Sequence, residues 1–360
     1  MEQDEGQRVD VKGMSRQELA AFLGQLGAPP YRAVQVMHWL YRRRCDDFQS
    51  MTDLPLELRQ SLAQRATAEF PRVLECQRSQ RTGTVKLLLG LTDGEAVECV
   101  LLPYQYGWSI CVSSQVGCAL GCTFCASGLG GWKRNLTTGE LMGQVLAAAR
   151  YLDEAGRGER IGHVVVMGMG EPLFNLESVL AFLQLAHDEE GLGIGYRHMT
   201  ISTAGVVPGI YRLAAEGLPI TLAVSLHAAN DSLRSQLMPI NRRFPLDQLL
   251  RACRFYIEKT GSRITFEYLL LHGVNDRPED AEALATLVRG LKCHINLIPA
   301  NPVPETGLRR SSPAEVRRFQ NILAGRGCSV TVRRQLGAEI DAACGQLRRR
   351  FLAGGGEGEK

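Results

Sequence analysis

The sequence predicts an α/β protein, a parallel sheet with helices packed outside it, preceded by a small helical module. Two observations carry that expectation. From about residue 108, short apolar runs of strand length alternate with helical segments, the pattern of βαβ units. Just after those runs fall polar and glycine-rich motifs: Gly168-Met169-Gly170-Glu171-Pro172, Ser202-Thr203-Ala204-Gly205, Ser225-Leu226-His227 and Pro299-Ala300-Asn301-Pro302. Open parallel sheets and α/β barrels place their active sites at the carboxyl ends of strands, so this recurrence points to one shared site.

Taken in order, Ser15–Leu26 and Tyr31–Tyr41 carry apolar residues at helical spacing, separated by Gly27-Ala28-Pro29-Pro30. Leu54–Ala66 is a third helical pattern, with Pro55 near its start. Val85–Leu91 and Ala96–Leu102 read as paired strands around the turn Thr92-Asp93-Gly94. The later strands are Trp108–Val112, His163–Met167, His198–Ser202, Thr221–Leu226, Ile264–Leu271, His294–Ile298 and Ser329–Arg333. Among the helices between them, Thr137–Ala155 opens with Thr137 and Glu140 at capping-box spacing. A doubly wound sheet and a full or partial barrel both satisfy this alternation. The expected division is a helical accessory domain with lead-in strands over 1–95, a core over 96–347 and a disordered tail over 348–360.

Composition narrows the class. The 360 residues are 45% hydrophobic and 22% charged, with no run approaching a membrane span. The N-terminus, Met-Glu-Gln-Asp-Glu-Gly, is not a secretory signal, so a cytoplasmic protein is expected; a monomer is a separate expectation. A net charge of +3 does not by itself argue for nucleic acid. Clusters at Arg42–Arg44, Arg333–Arg334 and Arg348–Arg350 either contact phosphates or form solvated faces. Eleven cysteines, an odd count in a long chain, argue against a disulfide framework and for metal binding or catalysis. Cys45, Cys76, Cys253, Cys293 and Cys328 lie among apolar neighbours and read as small buried hydrophobes.

The informative cysteines are Cys118, Cys122 and Cys125, in Gly117-Cys118-Ala119-Leu120-Gly121-Cys122-Thr123-Phe124-Cys125. A structural zinc site would pair two Cys-x2-Cys knuckles or add histidines, and a thioredoxin-like pair would leave Cys118 idle. Three thiolates instead suit a 4Fe–4S cluster with one iron left open for chemistry. The Cys-x3-Cys-x2-Cys spacing is the signature of radical S-adenosylmethionine (SAM) enzymes, in which SAM chelates the open iron. Glu171, beside exposed backbone, is placed to meet the ammonium of SAM, although alone it would read as an ordinary strand-to-helix turn.

Whole segments resemble the RlmN family of RNA adenine methyltransferases and its near relatives, the Cfr enzymes. They are Ile110 to Cys118, Val166 to Leu173, Val224 to Ala228, Asn296 to Pro299 and Ile340 to Leu347, with Tyr31-Arg32-Ala33, Trp39 and Met51 to Pro55 in the accessory domain. The resemblance implies a partial (β/α) TIM-type barrel of the radical SAM kind, with one 4Fe–4S cluster held by Cys118, Cys122 and Cys125. It implies SAM bound by Gly170, Glu171, Ser202, Ser225, Leu226, His227 and Asn301, two SAM per turnover, and an electron donor of flavodoxin or ferredoxin type. It implies methylation of adenine carbon 2 in 23S rRNA and in tRNA, 3′ to the anticodon. Cys344 carries the methyl group, Glu98 takes the carbon-2 proton, and Cys111 attacks Cys344 to release product and leave a disulfide. Without the family, Glu98 would read as a solvated carboxylate, His227 as a core histidine, and Cys111 and Cys344 as buried thiols. Carbon 2 of adenine is electrophilic, which disfavours polar transfer from SAM and suits a radical route. A Cfr-like carbon-8 enzyme and a non-enzymatic metal-cluster RNA-binding protein remain the alternatives.

Overall fold

The computed structural model describes residues 8–156, 160–300, 307–334, 336–337, 340 and 346–353. A short strand β1 (Val9–Asp10) leads into α1 (Arg16–Gln25), α2 (Arg32–Met37) and α3 (Leu56–Arg65). Ser15 and Glu18 form a capping box at the start of α1. The helix expected to run to Tyr41 stops being α-helical at Met37. It widens into a π turn over His38–Arg42 that buries Trp39, Leu40 and Tyr41 in succession. β2 (Ala66–Thr67) pairs in parallel with β1 and closes this module.

Next come β3 (Arg72–Arg78), β4 (Val85–Gly90), β5 (Ala96–Tyr104) and β6 (Gly107–Val112), an antiparallel meander. The hairpin β7 (Gln115–Gly117) and β8 (Trp132–Asn135) brackets the cysteine loop. After α4 (Thr138–Glu154) the alternation proceeds through β9 (Ile161–Val166), α5 (Leu176–His187), β10 (Met199–Thr203), α6 (Val207–Ala215) and β11 (Thr221–Ser225). It continues with α7 (Asp231–Leu237), α8 (Leu246–Thr260), β12 (Ile264–Leu270), α9 (Pro278–Leu287), β13 (Cys293–Pro299), α10 (Pro313–Gly325), β14 (Val330–Val332) and α11 (Gln346–Ala353).

One ten-stranded sheet runs β14-β13-β12-β11-β10-β9-β6-β5-β4-β3. From β6 to β14 every strand is parallel to the last and added on the same side. A doubly wound sheet would reverse direction, whereas crossovers of one hand in one direction keep all helices on one face, as in a barrel. The helix-facing side buries Leu101, Ile110, Val112, Val164, Val166, Ile201, Leu222 and Val224 against Leu141 and Val145 of α4 and their neighbours. The opposite, inner face presents Glu98, Val100 and Leu102 of β5, Cys111 of β6 and Val165 of β9 by strand alternation.

Several expectations need correction. Residue 95 lies at the β4–β5 turn, and β3 and β4 are hydrogen-bonded members of the main sheet, so the helical module ends at β2. β3 gave no strand signal because it is an exposed edge strand with a bulge between Val73 and Glu75. Cys76, on that edge, is exposed rather than buried. The tail expected to be disordered from residue 348 is helical through Ala353, because Leu347 packs on Leu88 and Ala96. Its remainder, Gly354–Lys360, lies outside the described residues. The arginine clusters are partly structural. Arg44 pairs with Asp153 of α4, Arg42 donates to the Glu189 carbonyl, and Arg43 stacks on Trp39. Arg348 is buried and pairs with Glu95 at 2.5 Å.

Candidate active site

The cysteine loop leaves β7 at Gly117, whose φ of 74° belongs to the left-handed region. A side chain there would place its Cβ 1.9 Å from the Gly131 carbonyl oxygen, so only glycine allows the hairpin to close behind the loop. Cys118 is buried and Cys122 and Cys125 are half-buried. Burial pushes Cys118 up to about 11 and Cys122 higher, and Arg234 alone pulls Cys122 the other way. Free thiols here stay protonated. A cationic iron cluster supplies the charge that would make them thiolates, so the donor set fits such a group.

Behind the loop, the connection from β9 is packed tightly. Gly170 has φ 100°, and a Cβ on it would fall 2.6 Å from that of Gln115. The Glu171 amide donates to Gln115 Oε1 at 2.8 Å, while Gln115 Nε2 donates to Asn135 Oδ1 at 2.7 Å. The buried Glu171 carboxylate accepts from the Leu173 amide on Oε1 (3.0 Å) and from the Ala204 amide on Oε2 (2.7 Å), tying the end of β9 to the end of β10. Burial still raises its pKa to about 7, against the lowering by those amides.

At the end of β11, His227 sits at φ 57°, a conformation a non-glycine residue holds only when its surroundings enforce it. Its Nδ1 accepts from the Leu269 amide at 3.0 Å, and its carbonyl accepts from Asn275 Nδ2 at 2.7 Å. Burial, with Arg234 adding, depresses its pKa to about 3. The ring is therefore neutral with its proton on Nε2, and it lies edge-on to Phe124 of the cysteine loop, centroids 4.8 Å apart. Sequence reasoning missed Arg234. Fully buried on α7, it donates to the carbonyls of Ala204 (2.7 Å), Ser225 (3.0 Å) and Leu226 (3.2 Å) and to Asn241 Oδ1 (2.8 Å). One guanidinium thus gathers the ends of β10 and β11 beneath the thiol loop. Ser202 and Ser225 lie in register next to Ala223 and Glu267 respectively. Asn301 lies outside the described residues.

Glu98 is not solvated. Its carboxylate meets Lys86 Nζ at 2.8 Å, with side-chain exposures of 3% and 0%, and its Oε1 accepts from the Arg348 amide at 2.7 Å. The hydroxyl of Ser113 donates to the Glu98 carbonyl at 2.7 Å and accepts from the Met169 amide at 3.0 Å, linking β5 to the Gly168–Glu171 motif. Val100 pairs with Cys111, so Glu98 and Cys111 are diagonal neighbours on the inner face. Cys344 lies outside the described residues, but both flanks of its segment are described. Leu336 packs against Cys111, Val100 and Leu102, and Leu347 packs against Leu88 and Ala96. Lys86 had a legible signal, a lone charge in the apolar run Val85 to Leu89, although nothing local named its partner.

Family models match two stretches: the ribosomal RNA large subunit methyltransferase N-terminal domain over residues 9–68 and the radical SAM superfamily over residues 112–287. Fold and thiol loop together define a radical SAM enzyme. A crystal structure of a radical SAM methyltransferase from Sphaerobacter thermophilus matches with a TM-score of 0.90 at 47% identity, covering 94% of this chain and 98% of that one. The probable dual-specificity RNA methyltransferase RlmN of Symbiobacterium thermophilum is 53% identical over 344 residues, 95% of this chain and 92% of the relative. Its counterpart in Desulforamulus reducens is 50% identical over 344 residues, 96% and 97% of the two chains. The chain belongs to the RlmN family.

Proposed function

We propose that this SAM-dependent RNA methyltransferase methylates carbon 2 of an adenine in 23S rRNA and in tRNA, with Cys344 as the methyl carrier. The observation that supports it is the clustering of Glu98 and Cys111 on the inner face, bracketed by the two described anchors of the Cys344 segment. On the side facing the cysteine loop, α11 lies against Ala126–Gly128, directly after Cys125.

Cys118, Cys122 and Cys125 would hold one 4Fe–4S cluster, which when bound supplies the electron that cleaves SAM to a carbon radical. The remaining roles belong to the chain. Gly170, Glu171, Ser202, Ser225, Leu226, His227 and Asn301 form the SAM pocket; His227 offers a neutral Nε2–H donor, and Glu171 keeps lone pairs for the SAM ammonium. Glu98, a buried carboxylate, takes the carbon-2 proton. Cys111 then attacks the sulfur of Cys344, breaking the bond from that sulfur to the methylene now joined to adenine carbon 2. The freed carbon takes up a proton to become the methyl group, and the Cys111–Cys344 disulfide is left for an external reductant. Two SAM molecules serve each turnover, one to methylate Cys344 and one for the radical. A flavodoxin- or ferredoxin-type donor, a monomeric state and a cytoplasmic location complete the reading.

Mass spectrometry of ribosomal RNA and tRNA from a deletion strain tests this. Loss of 2-methyladenine from both, restored by the wild-type gene but not by Cys344→Ala, is the expected result. Loss of 8-methyladenine instead would assign the Cfr-like regiochemistry, and unchanged RNA would end the proposal.

A further inference from the structure

We propose that Lys86 is a positioning residue, whose ammonium fixes the Glu98 carboxylate as the anchor of α11, the helix that follows Cys344 in the chain. In the β4–β5 ladder Lys86 stands opposite Val100, and Leu88 opposite Glu98, so Lys86 reaches Glu98 diagonally across the inner face. Both side chains are out of water, and a buried ion pair is a poor source of stability compared with apolar residues of the same volume. Its use here is orientation. With Glu98 Oε2 held by Lys86 at 2.8 Å, Oε1 receives the Arg348 amide at 2.7 Å.

Arg348 is the third residue of α11, where an amide has no acceptor within its own helix. Glu98 therefore serves as that helix's N-terminal cap, from 250 residues away in sequence. The contact is charge-assisted, and it depends on a carboxylate that Lys86 holds in one place. Once capped, α11 packs Leu347 on Leu88 and Ala96 and lies over Ala126–Gly128 beside the thiol loop. Glu98 thus joins the docking of the C-terminal segment to the proton acceptor of the reaction. The catalytic consequence rests on the proposed function; the docking itself does not.

Hydrogen exchange on the full chain without its cluster tests the docking. In Lys86→Met, amides of 346–353 are expected to exchange at least tenfold faster, with β9 to β12 unchanged, whereas Lys86→Arg keeps wild-type protection. Equal protection of α11 in Lys86→Met overturns the proposal, as does loosening by Lys86→Arg to the same degree, or loosening spread evenly through the sheet. Should Lys86→Met not fold, the double variant Lys86→Met/Glu98→Gln, which leaves no unpaired buried charge, must show the same loosening confined to α11. With the loaded enzyme, Lys86→Met should lower RNA methylation at least tenfold while SAM affinity holds. If Glu98→Gln methylates RNA at the wild-type rate, Glu98 loses its role as base, and the exchange data alone then decide the role of Lys86.

Discussion

His227 shows how a single side chain is shaped by the strand end it occupies. Its Nδ1 is taken by the Leu269 amide and its pKa is pressed to about 3 from a usual 6.5. Between those values only the unfolded chain binds the proton. Stability attributable to His227 is therefore complete above about pH 6.5 and falls by about 1.4 kcal/mol per unit as pH drops toward 3. His227→Asn, tolerable at a positive φ, should flatten that slope; urea midpoints at pH 7 and 5.5 would expose an unchanged slope and reject the account. At the thiol loop, Cys125→Ala should fold, since the residue is only half-buried. After anaerobic reconstitution it should bind far fewer than the about four irons per chain of a full cluster, by iron assay and visible absorption. The thiol loop was legible because its ligands are neighbours in sequence. Glu98 was not, because the Lys86 and Arg348 contacts that bury it come from another strand and from the far end of the chain.

Among the elements, α7 is a short helix whose main service is to carry Arg234 under β10 and β11. Replacing Arg234 by Met leaves the Ala204 carbonyl and Asn241 Oδ1 buried without this donor, a loss of about 3 kcal/mol at the usual cost of unsatisfied groups. Chemical denaturation would measure it, and a change below about 1 kcal/mol would show that water or a shifted helix replaces the guanidinium. Strands flanked by turns and helices with capping boxes were legible in sequence, as Thr137–Glu140 illustrates. Elements defined by tertiary contact were not. β3 has too few buried residues to show alternation, and α11 is helical where it can pack, despite its arginine-rich sequence.

At the scale of the whole molecule, one hydrophobic cluster runs from Leu19 and Leu40 of the helical module through Leu146 and Val166 to Leu323. Arg150 reinforces the junction, donating to Asp46 at 2.8 Å and to the Arg44 carbonyl at 2.6 Å. A continuous core predicts one cooperative melting transition by calorimetry rather than two, and a resolved low-temperature step for residues 9–68 would refute it. The barrel class itself was legible only as far as strand–helix alternation. The choice between winding in one direction and reversing depends on strand order, which no local pattern encodes.

The 250-residue span from Glu98 to Arg348 also has a meaning in time. A ribosome adds about 5–20 residues per second, so the two halves of that contact are made roughly 12–50 s apart. Through nearly all of that interval β5, β6 and the thiol loop have been synthesised, while the segment that bears Cys344 has not. On the proposed function, a nascent or prematurely terminated chain therefore carries the thiol loop before its methyl carrier, Cys344, has been made. The last described helix, α11, follows Cys344 in the chain, so the proposed methyl carrier is among the last residues made.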